Sequence, residues 1–376
     1  MKIYVFGSSL TSCYSNGAAT YYRGIYKNLH RLGHEITFAE PDIYDRQRNR
    51  DCPQIEYADV HVYETARDLD RVLAEAVDSD LIIKHSGVGA DDDLLEAAVL
   101  ELQTDRTRVA FWDVDAPATL ARVEKDPSDP FRRLIPSYDF IFTYGGGDPV
   151  IEHYQRLGAK NCFPIYNALD PDTHYPVSPD ARFQCDLAFV GNRLPDREAR
   201  VEQFLLAAAE LAPEFQFLLG GEGWGSRSLP SNVRWIGHVG TANHNVINSS
   251  ARMVLNINRD SMAKVGFSPP TRIFEAAGAA ACLITDAWIG IEEFFLPGQE
   301  ILVAPSAEDI VPYLREIGPG DARRIGDAMR KKALRVHTYE QRANQVDAVL
   351  RACRVGAPET SRHQSQVSEP LAHSAD

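Results

Sequence analysis

The chain has 376 residues, 44% hydrophobic and 24% charged, a globular balance that excludes collagen-like, coiled-coil and wholly disordered chains. With 39 basic against 53 acidic side chains the formal charge is −14, which disfavours non-specific binding to nucleic acid or anionic lipid but leaves room for a local basic cleft. No segment approaches the ~18 uninterrupted apolar residues of a membrane helix. The opening Met1-Lys2-Ile3-Tyr4-Val5-Phe6-Gly7 lacks the long apolar core of a signal peptide, and the six cysteines are scattered without a CxxC pair. A cytoplasmic location is the resulting expectation.

Taken in order, residues 3–6 read as a strand ending in Gly7-Ser8-Ser9, and 18–32 have helical apolar spacing with Gly33 as the stop. Residues 35–39 are a second strand. A helix over 66–77 precedes a strand over 81–84 and the loop His85-Ser86-Gly87. A helix over 91–102 follows, then strands over 109–112 and 140–144, the latter closed by Gly145-Gly146-Gly147. Residues 167–180, NALDPDTHYPVSPD, hold three prolines and little periodicity, so they read as an inter-domain linker.

The alternation then restarts. A strand over 186–190 runs into Gly191-Asn192-Arg193 and a helix over 197–211. Strands are predicted over 215–219, ending at Gly220-Gly221, and over 233–236 and 253–257. A helix over 271–280, strands over 282–285 and 301–304, and helices over 307–317, 321–336 and 339–353 complete the ordered part. The tail from 356, rich in small polar residues, is expected to be disordered.

Strand–helix alternation of this kind predicts an α/β protein with parallel sheets covered on both faces. Two Rossmann-like doubly wound domains are expected, over 1–168 and 183–338, joined by a linker over 169–182. Helix 339–354 is a candidate to cross back to the first domain, and 355–376 is the tail. Ligands bind at the carboxyl ends of such strands, so facing domains enclose a cleft.

The most specific stretch is GFSPPTRIFEAAGAAACLITD, residues 266–286. Arg272 and Glu275 lie three apart near the start of a helix, hence on one face. The helix start offers free N–H groups to a diphosphate, and Glu275 can accept hydrogen bonds from ribose hydroxyls. The alternative is a surface pair on an Ala-rich helix. The small residues 276–281 let backbones approach closely.

Gly191, Asn192 and Arg193 end a strand before a helix, where N–H groups and a guanidinium can meet phosphate, or merely turn. Gly221 belongs to a glycine loop, 220–225, suited to a base or to a turn. Arg259 and Lys264 flank the loop before Pro269, where a cation neutralises a leaving diphosphate without metal, or is simply solvated.

Asp113-Val114-Asp115 follows a first-domain strand. Either carboxylate can serve as a general base on the acceptor side, and Asp113 can equally cap the next helix. His85 is a second base candidate or a structural histidine. Asp91-Asp92-Asp93 complements a helix dipole. The basic run Arg323, Arg324, Arg330, Lys331, Lys332 and Arg335 reads as a solvated helix face, with peripheral contact to an anionic membrane as the alternative.

Pro270-x-Arg272-x-x-Glu275 with its small-residue run resembles the nucleotide-binding helix of GT-B glycosyltransferases of the glycosyltransferase group 1 superfamily. The likeness is greatest to the spore-maturation-protein-like branch. Three further segments agree: residues 7–36 with Gly33-His34; Tyr154-x-x-Leu157-Gly158 with Asn167-Ala168-Leu169-Asp170; and His337-Thr338-Tyr339-x-x-Arg342.

Over roughly residues 1–354 the resemblance implies a GT-B architecture with the two domains facing across a cleft. The second domain would take a nucleotide-diphosphate sugar, UDP favoured, through Gly191, Asn192, Arg193, Gly221, Arg259, Lys264, Arg272 and Glu275. The first would take a sugar, lipid-linked or small-molecule hydroxyl acceptor near Gly7, Ser8 and Ser9, with Asp113, Asp115 or His85 as base. No cofactor, no metal ligand and no nucleic-acid partner is expected. Many retaining members carry a second Glu eight residues before the ribose Glu; here Phe267 stands there. Rival readings are a UDP-N-acetylglucosamine 2-epimerase-type isomerase and a non-catalytic nucleotide-sugar-binding protein.

Overall fold

A computed structural model describes residues 1–14, 16–195 and 197–354. The first sheet comprises β1 (Lys2–Phe6), β2 (Glu35–Pro41), β3 (Asp59–Tyr63), β4 (Leu81–His85), β5 (Arg108–Asp113), β6 (Phe140–Thr143) and β7 (Cys162–Pro164). The second comprises β8 (Cys185–Val190), β9 (Phe217–Gly220), β10 (Val233–Trp235), β11 (Ala251–Asn256), β12 (Leu283–Asp286) and β13 (Leu302–Ala304). Their orders are β3-β2-β1-β4-β5-β6-β7 and β10-β9-β8-β11-β12-β13. Every pairing is parallel.

Parallel strands covered by helices must be apolar on both faces, and β1 shows how this is met. Its Tyr4 and Phe6 enter one core with Ile82 and Phe111, while Ile3 and Val5 enter another with Trp112 and Phe142. In the second domain Leu187 and Phe189 face one core and Ala188 another. The strand order reverses between β1 and β4, and again between β8 and β11, which places a crevice at each of these points.

Those crevices face each other. Arg259, after β11, reaches Asp115, after β5, at 2.9 Å. Gly146 N donates to Phe267 O at 2.9 Å, and Cys13 Sγ lies 3.3 Å from Thr241 Oγ1. The last helix, Tyr339–Arg354, packs on the first-domain helix Ala19–Arg31. Tyr339, Ala343, Val346 and Leu350 are buried in the first domain's core, the Tyr339 ring lies against Gly24, and His34 meets Asp347 at 3.0 Å. Among the described residues no helix is long and apolar enough to cross a membrane.

Several elements differ from the sequence reading, which has no counterpart for β7 or for the helices Gly147–Arg156 and His244–Ser250. β3 is an edge strand whose DVHVY sequence is only partly buried, so it lacks the apolar run by which inner strands are recognised. The helix predicted over 197–211 begins at Glu198 and widens into a π turn at Glu202–Leu206. The wider turn buries three consecutive side chains, Phe204, Leu205 and Leu206. A short helix, Asp260–Val265, stands where a loop is expected. The predicted disordered tail lies outside the described residues.

Candidate active site

The donor-side geometry starts at the end of β8. Gly191 N donates to Gly220 O at 2.9 Å, and Gly191 O accepts from Trp224 Nε1 at 2.8 Å. A side chain at Gly221 would place its Cβ 2.3 Å from Gly191 O, and Gly221 has φ of 123°, so only glycine lets the two loops meet. Asn192 Oδ1 accepts from Glu222 N at 3.0 Å, tying them further.

Arg272 sits in the first turn of the Thr271–Gly278 helix. Its Nε donates to Val190 O at 2.9 Å, its Nη1 to Asn256 Oδ1 at 3.0 Å, and its guanidinium covers the Phe189 ring at 5.1 Å. Its Nη2 lies 3.2 Å from where a Cβ on Gly191 would stand, and Arg197 Nη1 lies 3.1 Å from the same point. Burial first, then the charge of Arg197, pull the Arg272 pKa down to about 10, against the pull of Glu275 and Asp286. Two guanidiniums converging at a strand end beside a helix N-terminus suit a multivalent anion.

Glu275 follows one turn later on the same helix. Its side chain is 14% exposed and lies 3.7 Å from His244 Nδ1. Burial lowers the His244 pKa, so this imidazole is neutral at pH 7.

The other predicted donor-side cations sit elsewhere. Arg193 is held by Glu198 at 2.6 Å, Gly223 O at 3.3 Å and Ser226 Oγ at 3.3 Å, where it braces the glycine loop. Lys264 is 74% exposed and pairs with Asp260 at 2.5 Å. Arg259 points to Asp115 across the cleft. Phe267 fills the gap between Gly147 and Gly290, so no carboxylate reaches the cleft from that position.

On the acceptor side a cavity of about 520 Å³ is lined by Ser8, Arg46, Ser86, Asp115, Tyr144 and Arg259, among others. Asp115 Oδ2 takes the Arg259 bond, while Oδ1 is buried with no hydrogen-bond partner among the described residues. Asp115 also occupies the N-cap position of the Ala116–Lys125 helix without a side-chain capping bond. The capping alternative for Asp113 does not hold, because Asp113 is wholly buried one turn short of the helix start. Asp113 Oδ1 accepts from Ser86 Oγ at 2.8 Å, Asp115 N at 3.0 Å and Thr119 Oγ1 at 3.0 Å, and its Oδ2 from Tyr154 OH at 2.5 Å. Burial raises its pKa against these four donors. Asp113 therefore fixes the loop that presents Asp115.

His85 is completely buried, 2.5 Å from Tyr26 OH and packed against Tyr22 and Trp112, with burial lowering its pKa to about 3. It is a neutral core histidine without access to the cavity. Gly7 packs under the Phe38 ring. Ser8 Oγ donates to Asn16 Oδ1 at 2.9 Å, and Ser9 Oγ accepts from Ser12 N at 3.0 Å. Buried Glu40, at the end of β2, accepts from Leu10 N at 2.5 Å and so fastens this loop.

Sequence reasoning missed Arg197 and Arg46. Arg197 carries a weak signal, a cation at the start of the helix after Gly191; Arg46 carries none, because only the fold brings its guanidinium to Ser8 O at 2.9 Å.

Residues 197–348 match the family described as "Glycosyl transferase-like". No curated protein sequence matches the chain. Among solved structures, sucrose-phosphate synthase from Thermosynechococcus elongatus superposes with a TM-score of 0.67 at 15% identity, covering 95% of this chain and 100% of that one. HepE of Anabaena, solved with UDP and glucose, gives 0.68 at 13% identity over 94% of this chain and 100% of its own. An α-glucosyltransferase solved with UDP and a 13-mer DNA gives 0.66 at 11% identity over 93% and 99%. The fold is that of GT-B glycosyltransferases, two parallel-sheet α/β domains.

Proposed function

We propose that this chain transfers a sugar from a nucleotide-diphosphate sugar, UDP favoured, to a hydroxyl acceptor used in cell-surface polysaccharide, glycolipid or glycoconjugate synthesis. The observation that carries this reading is the convergence of Arg197 and Arg272 at Gly191, with Glu275 one turn along the helix. The HepE and α-glucosyltransferase structures, each solved with UDP, support the choice of base. The Pro270-x-Arg272-x-x-Glu275 run supports a relation to the spore-maturation-protein-like branch.

In this reading the diphosphate lies against Arg197, Arg272 and the N-terminus of the Thr271–Gly278 helix, and Glu275 accepts from the ribose hydroxyls. The acceptor oxygen attacks the anomeric carbon as the bond to the diphosphate breaks, and the guanidiniums neutralise the leaving group without metal. Asp115 takes the acceptor proton if the transfer inverts, and Asp113 holds it in place. The net charge of −14 argues for a sugar or lipid-linked acceptor over nucleic acid. Scattered cysteines favour the cytoplasm.

Thermal shifts across nucleotides and nucleotide sugars test the donor: a ligand at ~100 times its Kd adds about 2.7 kcal/mol. UDP or a UDP-sugar should give the largest shift, and product should form in excess EDTA. No shift with any nucleotide refutes the reading; epimerised donor without acceptor marks an isomerase instead. Activity lost in EDTA and restored by manganese refutes metal independence.

A further inference from the structure

The linker and the donor helix come together through one glycine. A Cβ on Gly278 would stand 2.6 Å from His174 O and 2.8 Å from His174 Cβ, so the small residue lets the linker lie against the helix. His174 N is held by Asp170 O at 3.0 Å, and Lys27 anchors Asp170 at 2.5 Å. His174 is thereby fixed, 3% exposed, next to Glu275, which lies one turn before Gly278. His244, at the start of the His244–Ser250 helix, approaches from a third element, its Nδ1 3.7 Å from the Glu275 carboxylate.

We propose that His174, His244 and Glu275 form a binding site for a zinc-class divalent cation, and that the ion competes with nucleotide for Glu275. The second half of this statement rests on the glycosyltransferase reading; the first does not. One ligand atom from each of the three residues lies within 4.8 Å of the others. Zinc–ligand bonds of about 2.0–2.2 Å set tetrahedral ligands roughly 3.4 Å apart, so small side-chain rotations close the set. Two imidazoles and one carboxylate match the preference of zinc over magnesium or calcium, and a fourth position stays open to water.

The supporting contacts agree. His174 Nδ1 and Thr173 Oγ1 are 2.9 Å apart. An Nδ1–H donated to that hydroxyl leaves Nε2 with the lone pair a metal requires, the arrangement that orients metal-bound histidines elsewhere. Glu275 supplies the single negative charge, so an ion bound here withdraws the carboxylate from the ribose hydroxyls. The site would make donor binding sensitive to free zinc although the transfer itself needs no metal.

Cobalt(II) is the probe, because tetrahedral Co(II) absorbs strongly in the visible. Added in equal amount to the metal-free, full-length protein, it should give that spectrum, and zinc should bleach it. His174→Ala should abolish it, and Thr173→Val should weaken cobalt binding roughly 10–100-fold. In a second arm, zinc at about ten times its Kd should weaken UDP binding roughly ten-fold in the wild type and not in His174→Ala. No tetrahedral spectrum, or one unchanged in His174→Ala, overturns the site. A spectrum with UDP affinity indifferent to zinc overturns the competition. If the protein binds no UDP at all, the donor reading fails while the cobalt spectrum still decides the metal site.

Discussion

Replacing Arg197 by Gln separates an anion-binding residue from a structural one, because the two roles predict opposite signs. Arg197 Nη1 and Arg272 Nη2 each lie just over 3 Å from one point beside Gly191. Their charges are thus within about 6 Å, a repulsion of about 2.8 kcal/mol at an effective dielectric of about 20. Arg197 already depresses the Arg272 pKa through this repulsion. Without ligand, relief of this repulsion, reduced by solvent, should offset the loss of the long Arg197 Nη1 contact to Asn192 O at 3.5 Å, so the Gln variant should be about as stable as the wild type or more so. With ligand the sign reverses: a charged hydrogen-bond donor to phosphate contributes about 1.5–3 kcal/mol, so UDP should bind roughly 10- to 150-fold more weakly. Urea denaturation of the free protein and calorimetric titration with UDP read the two effects. Lower stability of the free variant together with unchanged UDP affinity would refute the reasoning and make Arg197 a structural residue.

Asp115→Asn should bind donor normally and lose at least ~100-fold in kcat if the transfer inverts, whereas Asp113→Asn should lose about 1–3 kcal/mol of stability by disturbing a four-donor acceptor; steady-state kinetics and denaturation on both variants check this. Glu275→Ala should cost about 1.5–3 kcal/mol of nucleotide affinity without altering the fold, as followed by titration calorimetry and circular dichroism. Tyr339→Ala, which empties the contact between the last helix and the first-domain core, should cost about 3–5 kcal/mol, and an effect under 1 kcal/mol would mean that helix is not held there. His85 and His337 are buried with pKa values lowered to about 3 and about 4. The unfolded chain takes up their protons below about pH 6.5 while the native state does not, so stability should fall as pH drops from about 6.5 towards 4. Each contributes about 2 kcal/mol of loss at pH 5, to be read from urea midpoints.

The sequence by itself determined the two α/β halves, because buried parallel strands need nearly continuous apolar runs and these stand out against amphipathic helices. It also located Arg272 and Glu275, whose relation is set by one turn of one helix, and the small residues that let the linker approach. Edge strand β3 was illegible, since an edge needs no such run. Which of the base candidates lines the cavity was decided by the tertiary structure. Asp113, Asp115 and His85 all follow or end first-domain strands, yet packing encloses His85 among rings and surrounds Asp113 with donors, whereas Asp115 keeps one carboxylate oxygen without a hydrogen-bond partner among the described residues. The cations divided in the same way. Arg193 and Lys264 are spent on nearby carboxylates, while Arg197 arrives at Gly191 from the next helix. The cluster of His174, His244 and Glu275 was likewise invisible, as its outer members lie 101 residues apart in the chain. Local rules fix which residues share an element, but side chains from different elements meet only where the fold has already fixed the distances between them.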